Sequence, residues 1–294
     1  MRGALLLVLV LGLALACGAS QAAVSVKDDA GNSVTLTRPA QRVIAMAPHI
    51  TELLFAAGGG ERVVGAMNYS DYPEAAKRVP LVGSDAQIDL ERVIALRPDL
   101  LVVWRTGNTE RQLSQLKSLN IPIFYSEPKR LDEVATSLTR LGQLMGTDAV
   151  AQSAAKDYRQ KLAKLTASNA QRPPVRVFYQ IWEKPIFTLN GEHVVSDALR
   201  VCGGRNVFAG LKVTAPSVGT EAVLQENPEA IIGGEQHDGQ SGINIWKPYK
   251  GLLAVQRGNL FMLDSDLLVR ATPRIVDGIA ALCEKLETVR RRRP

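Results

Sequence analysis

The residues able to do chemistry in this chain are few, and their spacing favours binding over catalysis. The histidines are His49, His193 and His237, and no two stand at the i, i+4 spacing of paired zinc ligands on a helix. His49 and Glu52 lie three apart on a predicted helix, a weak metal signal. The simpler expectation puts His49 at the helix entrance beside Pro48, solvated or lining a cleft. His193 and His237 fall in loop-like stretches and read as surface residues. Gly58-Gly59-Gly60 follows a predicted helix, not a strand, so it is a helix stop and not a phosphate loop. There is neither a G-x-S-x-G elbow nor a P-loop. The chain is therefore not expected to be an enzyme, and no metal centre or cofactor is predicted.

The cysteines are read through the first residues of the chain. Met1-Arg2, an apolar run from Ala4 to Ala16 and small residues through Ala23 have the order of a secretory signal. The run is shorter than the about 20 apolar residues a membrane-spanning helix needs. Residues 1–22 are predicted to be a signal peptide and the mature chain to be periplasmic. Cleavage after Ala22 or Ala23 would release a soluble protein. Ala14-Leu15-Ala16-Cys17 is an imperfect lipobox, with Ala14 where leucine is usual, and would anchor the chain at Cys17. Either route leaves Cys202 and Cys283, an even pair in an oxidising compartment. One disulfide is expected, the alternative being two separate buried thiols.

Aromatic residues make up 5% of the chain, so their positions carry weight. Tyr69 and Tyr72 follow a predicted strand, Trp104 directly follows the apolar run Leu100 to Val103, and Phe187 follows the first strand of the second half. In α/β sheets ligands bind beyond the carboxyl ends of strands. Tyr69, Trp104 and Phe187 are thus predicted to face one groove and to hold a bulky organic ligand by area and stacking. Ordinary packing of each ring is the alternative.

These positions need elements to hold them. Val24 to Leu36 around Ala30-Gly31-Asn32 predicts a hairpin. Short β-branched runs then alternate with helical segments (Thr51 to Ala57, Leu90 to Leu96, Glu110 to Leu119), the pattern of an α/β lobe on a mostly parallel sheet. From Leu131 to Asn169 apolar residues recur at helical spacing without proline. This predicts one long helix or two nearly collinear ones, a spine on the order of 55 Å. Pro173-Pro174 stops it. The α/β pattern then restarts with strands at Val175 to Ile181, Ala230 to Ile232 and Leu260 to Leu263, and helices at Val194 to Val201 and Pro273 to Val289. The expected architecture is α/β: two Rossmann-like lobes, 23–130 and 171–294, joined by a rigid linking helix, 131–170. A mature chain of roughly 270 residues is long enough to split this way.

One local repeat supports the symmetry. Glu91 to Leu101 matches Glu221 to Ile231 in its first glutamate, its apolar pair, and the Pro-Asp or Pro-Glu that follows. Each glutamate opens a helix, where the dipole favours it. Beyond capping, two equivalent acids, one per lobe, could meet two arginines of a symmetric partner. The net charge of +6 owes much to Arg290, Arg291, Arg292 and Arg293, predicted to be a solvated tail. No aromatic residue interleaves that run, so no nucleic-acid surface is expected.

Pro48-His49-Ile50-Thr51-Glu52-Leu53-Leu54-Phe55-Ala56-Ala57-Gly58, Asn68-Tyr69-Ser70-Asp71-Tyr72-Pro73, Leu90-Glu91-Arg92-Val93, Arg97-Pro98-Asp99-Leu100 and Val201-Cys202-Gly203-Gly204 carry a family resemblance. From Arg42 to about Leu286 the chain resembles the periplasmic cobalamin-binding components of ABC importers (BtuF type), within the iron-siderophore and vitamin B12 class. The resemblance implies the class III binding-protein fold, with cobalamin or a related corrinoid as transported ligand in a cleft that closes little. It also implies a Cys202–Cys283 bridge and docking of Glu91 and Glu221 on the arginines of an inner-membrane permease with its ATPase. By position the ligand contacts would be Tyr69, Trp104, Phe187 and Asp266-Leu267-Leu268-Val269-Arg270, in a monomer. The chain departs from the family type at Asp85, Ala215 and Leu267, where tryptophans are usual, and Trp246 is a candidate to restore that area. The alternatives are haem or a ferric siderophore on the same scaffold, or an exported metal-dependent enzyme.

Overall fold

A computed structural model describes residues 23–84, 86–235 and 242–294. The predicted signal segment, Cys17, Asp85 and His237 lie outside them. The chain opens with an antiparallel hairpin, β1 (Val24–Lys27) and β2 (Ser33–Leu36). Its turn is held by the Asp28 carboxylate, which accepts from the Ala30 and Asn32 amides.

The first lobe runs β3 (Val43–Ala45), α1 (Pro48–Ala56), β4 (Val63–Ala66), α2 (Leu90–Ala95), β5 (Leu100–Val103), α3 (Glu110–Lys117) and β6 (Ile123–Tyr125). The strands pair in parallel in the order β4-β3-β5-β6. A parallel sheet is covered on both faces, which is why β3 and β5 are apolar without alternation and wholly buried. Helix boundaries follow local chemistry. Pro48 supplies a pre-set φ at the start of α1, Gly58 takes φ +84° just past its end, and Thr109 with Gln112 closes a capping box on α3.

Two helices come next, α4 (Leu131–Met145) and α5 (Asp148–Asn169), and they correct the predicted spine. Gly146, at φ +64°, reverses the chain, and α5 folds back antiparallel on α4. The Tyr158 hydroxyl donates to the Leu131 carbonyl at 2.7 Å, tying the middle of α5 to the first residue of α4. The crossing is close at Gly142, where a Cβ would sit 2.2 Å from that of Ala151. An interhelical face and a long single helix show the same periodicity, so spacing alone did not reveal the turn. Helix α5, about 33 Å long at 1.5 Å per residue, packs on the last helix of the second lobe, and the first residue of α4 joins it there, the Leu131 amide donating to Asp197 at 2.9 Å.

The second lobe comprises β7 (Val175–Gln180), a ribbon of β8 (Trp182–Glu183) and β9 (Ile186–Phe187), α6 (Val194–Val201), β10 (Gly204–Asn206), α7 (Thr220–Glu226), β11 (Ala230–Glu235), α8 (Leu253–Gln256), β12 (Leu260–Asp264), α9 (Ser265–Val269) and α10 (Ile275–Arg291). Its parallel sheet has the order β10-β7-β11-β12. Both lobes therefore place their four strands in the order second, first, third, fourth. The Cys202–Cys283 disulfide ties the end of α6 to α10.

The repeat seen in the sequence is repeated in detail. Arg97 and Asn227, six residues after Glu91 and Glu221, both take positive φ, +46° and +40°. Asp99 accepts from the Arg42 amide at 2.9 Å, and Glu229 from the Arg176 amide at 3.1 Å, each locking the start of its lobe's first strand. The arginine side chains match too, Arg42 donating to the Leu96 carbonyl and Arg176 to that of Glu226.

One apolar core runs beneath both lobes. It joins Val43, Leu53 and Leu100 of the first, Leu138 and Ala155 of the helical pair, and Val177, Ile232 and Ile279 of the second. Smaller clusters cover the outer faces of the two sheets. The C-terminal arginines are not a free tail. Arg290 donates to the Pro173 and Cys202 carbonyls, Arg292 to that of Gly258, and Arg293 to the Glu229 carboxylate. Each caps carbonyls or an acid that the fold leaves at that end, and only Arg291 keeps to its own helix.

Candidate functional site

With strand order second, first, third, fourth, the connections leave the sheet in opposite directions after the first and third strands, and a crevice opens at their carboxyl ends. In the first lobe these strands are β3 and β5. His49 follows the one and Trp104 the other, and their rings meet edge to face at 5.3 Å between centroids and 89° between planes. Above them lies a cavity of about 340 Å³ walled by both lobes. Pro48, His49, Trp104 and Pro128 face Glu192, His193, Val194, Thr214 and Val269 across a mainly apolar space. Trp104, 39% exposed although it directly follows a fully buried strand, is available to a solute.

Arg270 lines the same cavity, yet its charge is already satisfied. Its guanidinium meets Glu52 at 3.0 Å, Asp266 at 2.9 Å and Asp71 at 3.2 Å. Glu52 is buried on α1 and also grips Arg274 through two bonds, at 2.9 and 2.7 Å. Arg274 in turn lies 3.8 Å over the Tyr72 ring. The Thr51 hydroxyl donates to that of Ser70 at 2.9 Å. Acids and a ring from the first lobe thus hold two arginines of the second, under the cavity floor.

The predicted contacts do not all reach this cavity. Trp104, Val269 and Arg270 line it; Tyr69 and Phe187 do not. Tyr69, at φ +64° and 65% exposed, stands in the turn after β4. Phe187 is half-buried in the ribbon after β7, opposite Trp182. Each follows the carboxyl end of a strand, Tyr69 in the first lobe and Phe187 in the second. Asp266 reaches the site through Arg270, and Leu267 is half-buried with its carbonyl close to Gly278. Leu268 is a correction: it is wholly buried in the shared core, so its side chain is closed to a ligand. Trp246 is another. It is fully buried, its indole donates to Gln180 at 2.6 Å, and it packs edge-on against Phe178, so it restores no cleft area.

Two features were missed. His193, read as a surface residue, caps α6, with Nδ1 accepting from the Val195 amide at 3.2 Å, and it lines the cavity. A histidine one residue before an apolar helix was the available signal. Trp182, 50% exposed, stands just past the carboxyl end of β7, paired with Phe187 in the ribbon. Burial lowers the pKa of both cavity histidines to about 4. For His49 a hydrogen bond to the Ser126 backbone and the nearby Glu52 work in the opposite direction and lose. Both imidazoles are neutral at pH 7.

Glu91 and Glu221 occupy the first turns of α2 and α7 and are exposed. A crossover helix starts where the preceding strand's carboxyl end lies, so each acid stands on the cleft edge of its lobe. Neither forms an ion pair with a described residue.

Residues 43–267 match the family model described as periplasmic binding protein. A vitamin B12-binding protein of Vibrio cholerae is 39% identical over 250 residues, 85% of this chain and 90% of that one. The crystal structure of the periplasmic vitamin B12 binding protein BtuF of Vibrio cholerae superposes with a TM-score of 0.79 at 38% identity, over 86% of this chain and 98% of that one. A periplasmic heme binding protein from Pseudomonas aeruginosa superposes with a TM-score of 0.72 at 27% identity, over 83% and 91%.

Proposed function

Because the chain belongs to the periplasmic binding protein family, we propose that it captures cobalamin or a related corrinoid in the periplasm and hands it to an inner-membrane ABC permease driven by its ATPase. It is a binding protein of a transport system and not an enzyme. The observation that carries the choice of cargo is the saturation of Arg270. Three carboxylates hold the one arginine that lines the cavity, so it has no charge left to offer an anion. The other charged residues lining the cavity are Lys129, Glu127 and Glu192, one cation against two acids. Haem carboxylates or a ferric siderophore would need a basic wall. A corrin ring carrying neutral amide arms needs apolar area, exposed rings and hydrogen-bonding groups, which Trp104, Val269, Thr214 and the cavity imidazoles supply.

Tyr69 and Phe187, with Trp182, would extend this contact along the mouth. The common core under both lobes and the Glu52 ion pairs support a cleft that changes little on binding. Glu91 and Glu221, equivalent by the repeat and unpaired with described residues, would dock on permease arginines, the mature protein acting as a monomer without a cofactor of its own. Calorimetric titration of the purified mature protein with cyanocobalamin and, separately, with haem tests the cargo. Saturable one-to-one binding of cyanocobalamin is expected. Haem binding without cyanocobalamin binding would overturn the assignment. Trp104→Ala should weaken binding by about 1–2 kcal/mol, the stacking and area of one ring.

A further inference from the structure

The exposed aliphatic side chains of the described residues are not scattered over the surface. They are Leu81, Ile94, Val150, Leu211, Val213 and Leu224, and all but Val150 lie between β4 and the end of α2 or between β10 and the end of α7. These are equivalent segments of the two lobes, and each carries one of the repeated glutamates. Within the two helices the match is residue for residue: Glu91 and Glu221 stand second, Val93 and Val223 fourth, Ile94 and Leu224 fifth. Both valines are fully buried in the clusters that cover the outer faces of the sheets, whereas Ile94 is 56% and Leu224 38% exposed. Side chains three apart share a helix face, so each acid stands beside an exposed aliphatic residue. One such residue on a surface is ordinary. An aliphatic side chain left in water at the same place in both lobes, each time beside an acid, serves neither core, because the valine before it already packs there. The later acids of the repeat are engaged inside the chain, Asp99 by the Gln41 and Arg42 amides and Glu229 by Arg293; Glu91 and Glu221 pair with no described residue.

We propose that Ile94 and Leu224 are a matched pair of apolar anchors, one per lobe, that insert into two equivalent apolar notches of the inner-membrane permease, each notch beside the arginine that takes the neighbouring glutamate. This rests on the docking role of Glu91 and Glu221 above and adds the source of the affinity. Ion pairs at the rim of an interface steer the encounter and are screened by salt, whereas a buried aliphatic side chain holds the complex at any ionic strength. The partner's face carries two like notches because the anchors are two and alike. A bilayer surface could also cover an aliphatic residue, but anionic headgroups would repel the acids that flank both anchors.

The test is binding of the cyanocobalamin-loaded mature protein to its permease and ATPase held in lipid nanodiscs, read by surface plasmon resonance at low and at high salt. Ile94→Ser with Leu224→Ser should weaken binding by about fivefold or more at both salt concentrations and leave cyanocobalamin affinity unchanged. Glu91→Gln with Glu221→Gln should instead lose affinity chiefly at low salt, and with it most of the salt dependence. Ile94→Val with Leu224→Met keeps the apolar area and should bind like wild type. If the serine pair folds poorly, Ile94→Ser and Leu224→Ser taken singly carry the comparison, each losing about twofold or more. A smaller loss, a loss confined to low salt, or an equal loss in the conservative pair overturns the anchors. So does equal binding of wild type to nanodiscs of lipid alone. Failure of wild type to bind the permease, or undiminished binding of Glu91→Arg with Glu221→Arg, overturns the docking role and the anchors with it. Loss in that arginine pair with full binding by the serine pair overturns the anchors alone.

Discussion

Replacing Glu52 by alanine should loosen the junction between the lobes more than any other single change near the cleft. The Glu52 carboxylate is almost fully buried and accepts three hydrogen bonds, one from Arg270 and two from Arg274. Without it, Arg270 still has Asp71 and Asp266, but Arg274 loses both of its hydrogen bonds to Glu52 and is left with the face of Tyr72 and the field of Asp266. Stranding a buried charge by deleting its partner costs about 3–5 kcal/mol. The Arg274 side chain is 21% exposed, and a cation over an aromatic ring at such a site returns about 1 kcal/mol of that. The net loss is thus about 2–4 kcal/mol, or roughly 10 °C in Tm at about 2–4 °C per kcal/mol for a domain near this size. Asp71→Ala removes a carboxylate that is 46% exposed and should cost about 1 kcal/mol or less. Glu52→Leu with Arg274→Met removes both charges and should recover most of the loss. Thermal and urea unfolding followed by circular dichroism would read all three. If Glu52→Ala lies within about 1 kcal/mol of wild type, or if Asp71→Ala costs as much, the ion-pair argument is wrong.

Other outcomes follow from the same geometry. The unfolded chain takes up protons at His49 and His193 near pH 6.5, while the folded chain takes them up only near 4. Stability should therefore be flat above about pH 7 and fall as pH drops from 6.5 to 4, by about 3 kcal/mol for each imidazole and about 6 kcal/mol in all. Tm measured across that range would show it, and a slope unchanged in the His49→Gln, His193→Gln double variant would refute the cause. Opening the Cys202–Cys283 bridge frees a loop of 81 residues in the unfolded state. Loop entropy then predicts a loss of about 4 kcal/mol, read from urea midpoints with and without reductant, and equal midpoints would refute it. Glu91→Arg with Glu221→Arg should leave the cyanocobalamin affinity of the purified protein intact and abolish corrinoid uptake by cells depending on it; undiminished uptake would remove the docking role.

The sequence alone was enough for whatever is decided over short distances. Buried runs such as Leu100–Val103 had to be central strands of a parallel sheet, and Gly58 and Gly203 had to end helices, because backbone conformation and apolar spacing are local properties. The match of Glu91 with Glu221 pointed to two lobes of like construction, and the structure adds the matching positive φ at Arg97 and Asn227. Tertiary structure decided which group meets which. Apolar spacing from Leu131 to Asn169 could not distinguish a straight spine from a helix folded back at Gly146, since both bury one face. Position in the chain made Arg270 a ligand contact and the charge run made Arg290 to Arg293 a tail; Glu52, 218 positions before Arg270, engages the first, and the carbonyls of Cys202 and Gly258 hold the second. Trp246 is a ring of the right kind in the wrong layer. Charges and rings act through their nearest neighbours in space, and those neighbours are brought together only by the closing of the chain.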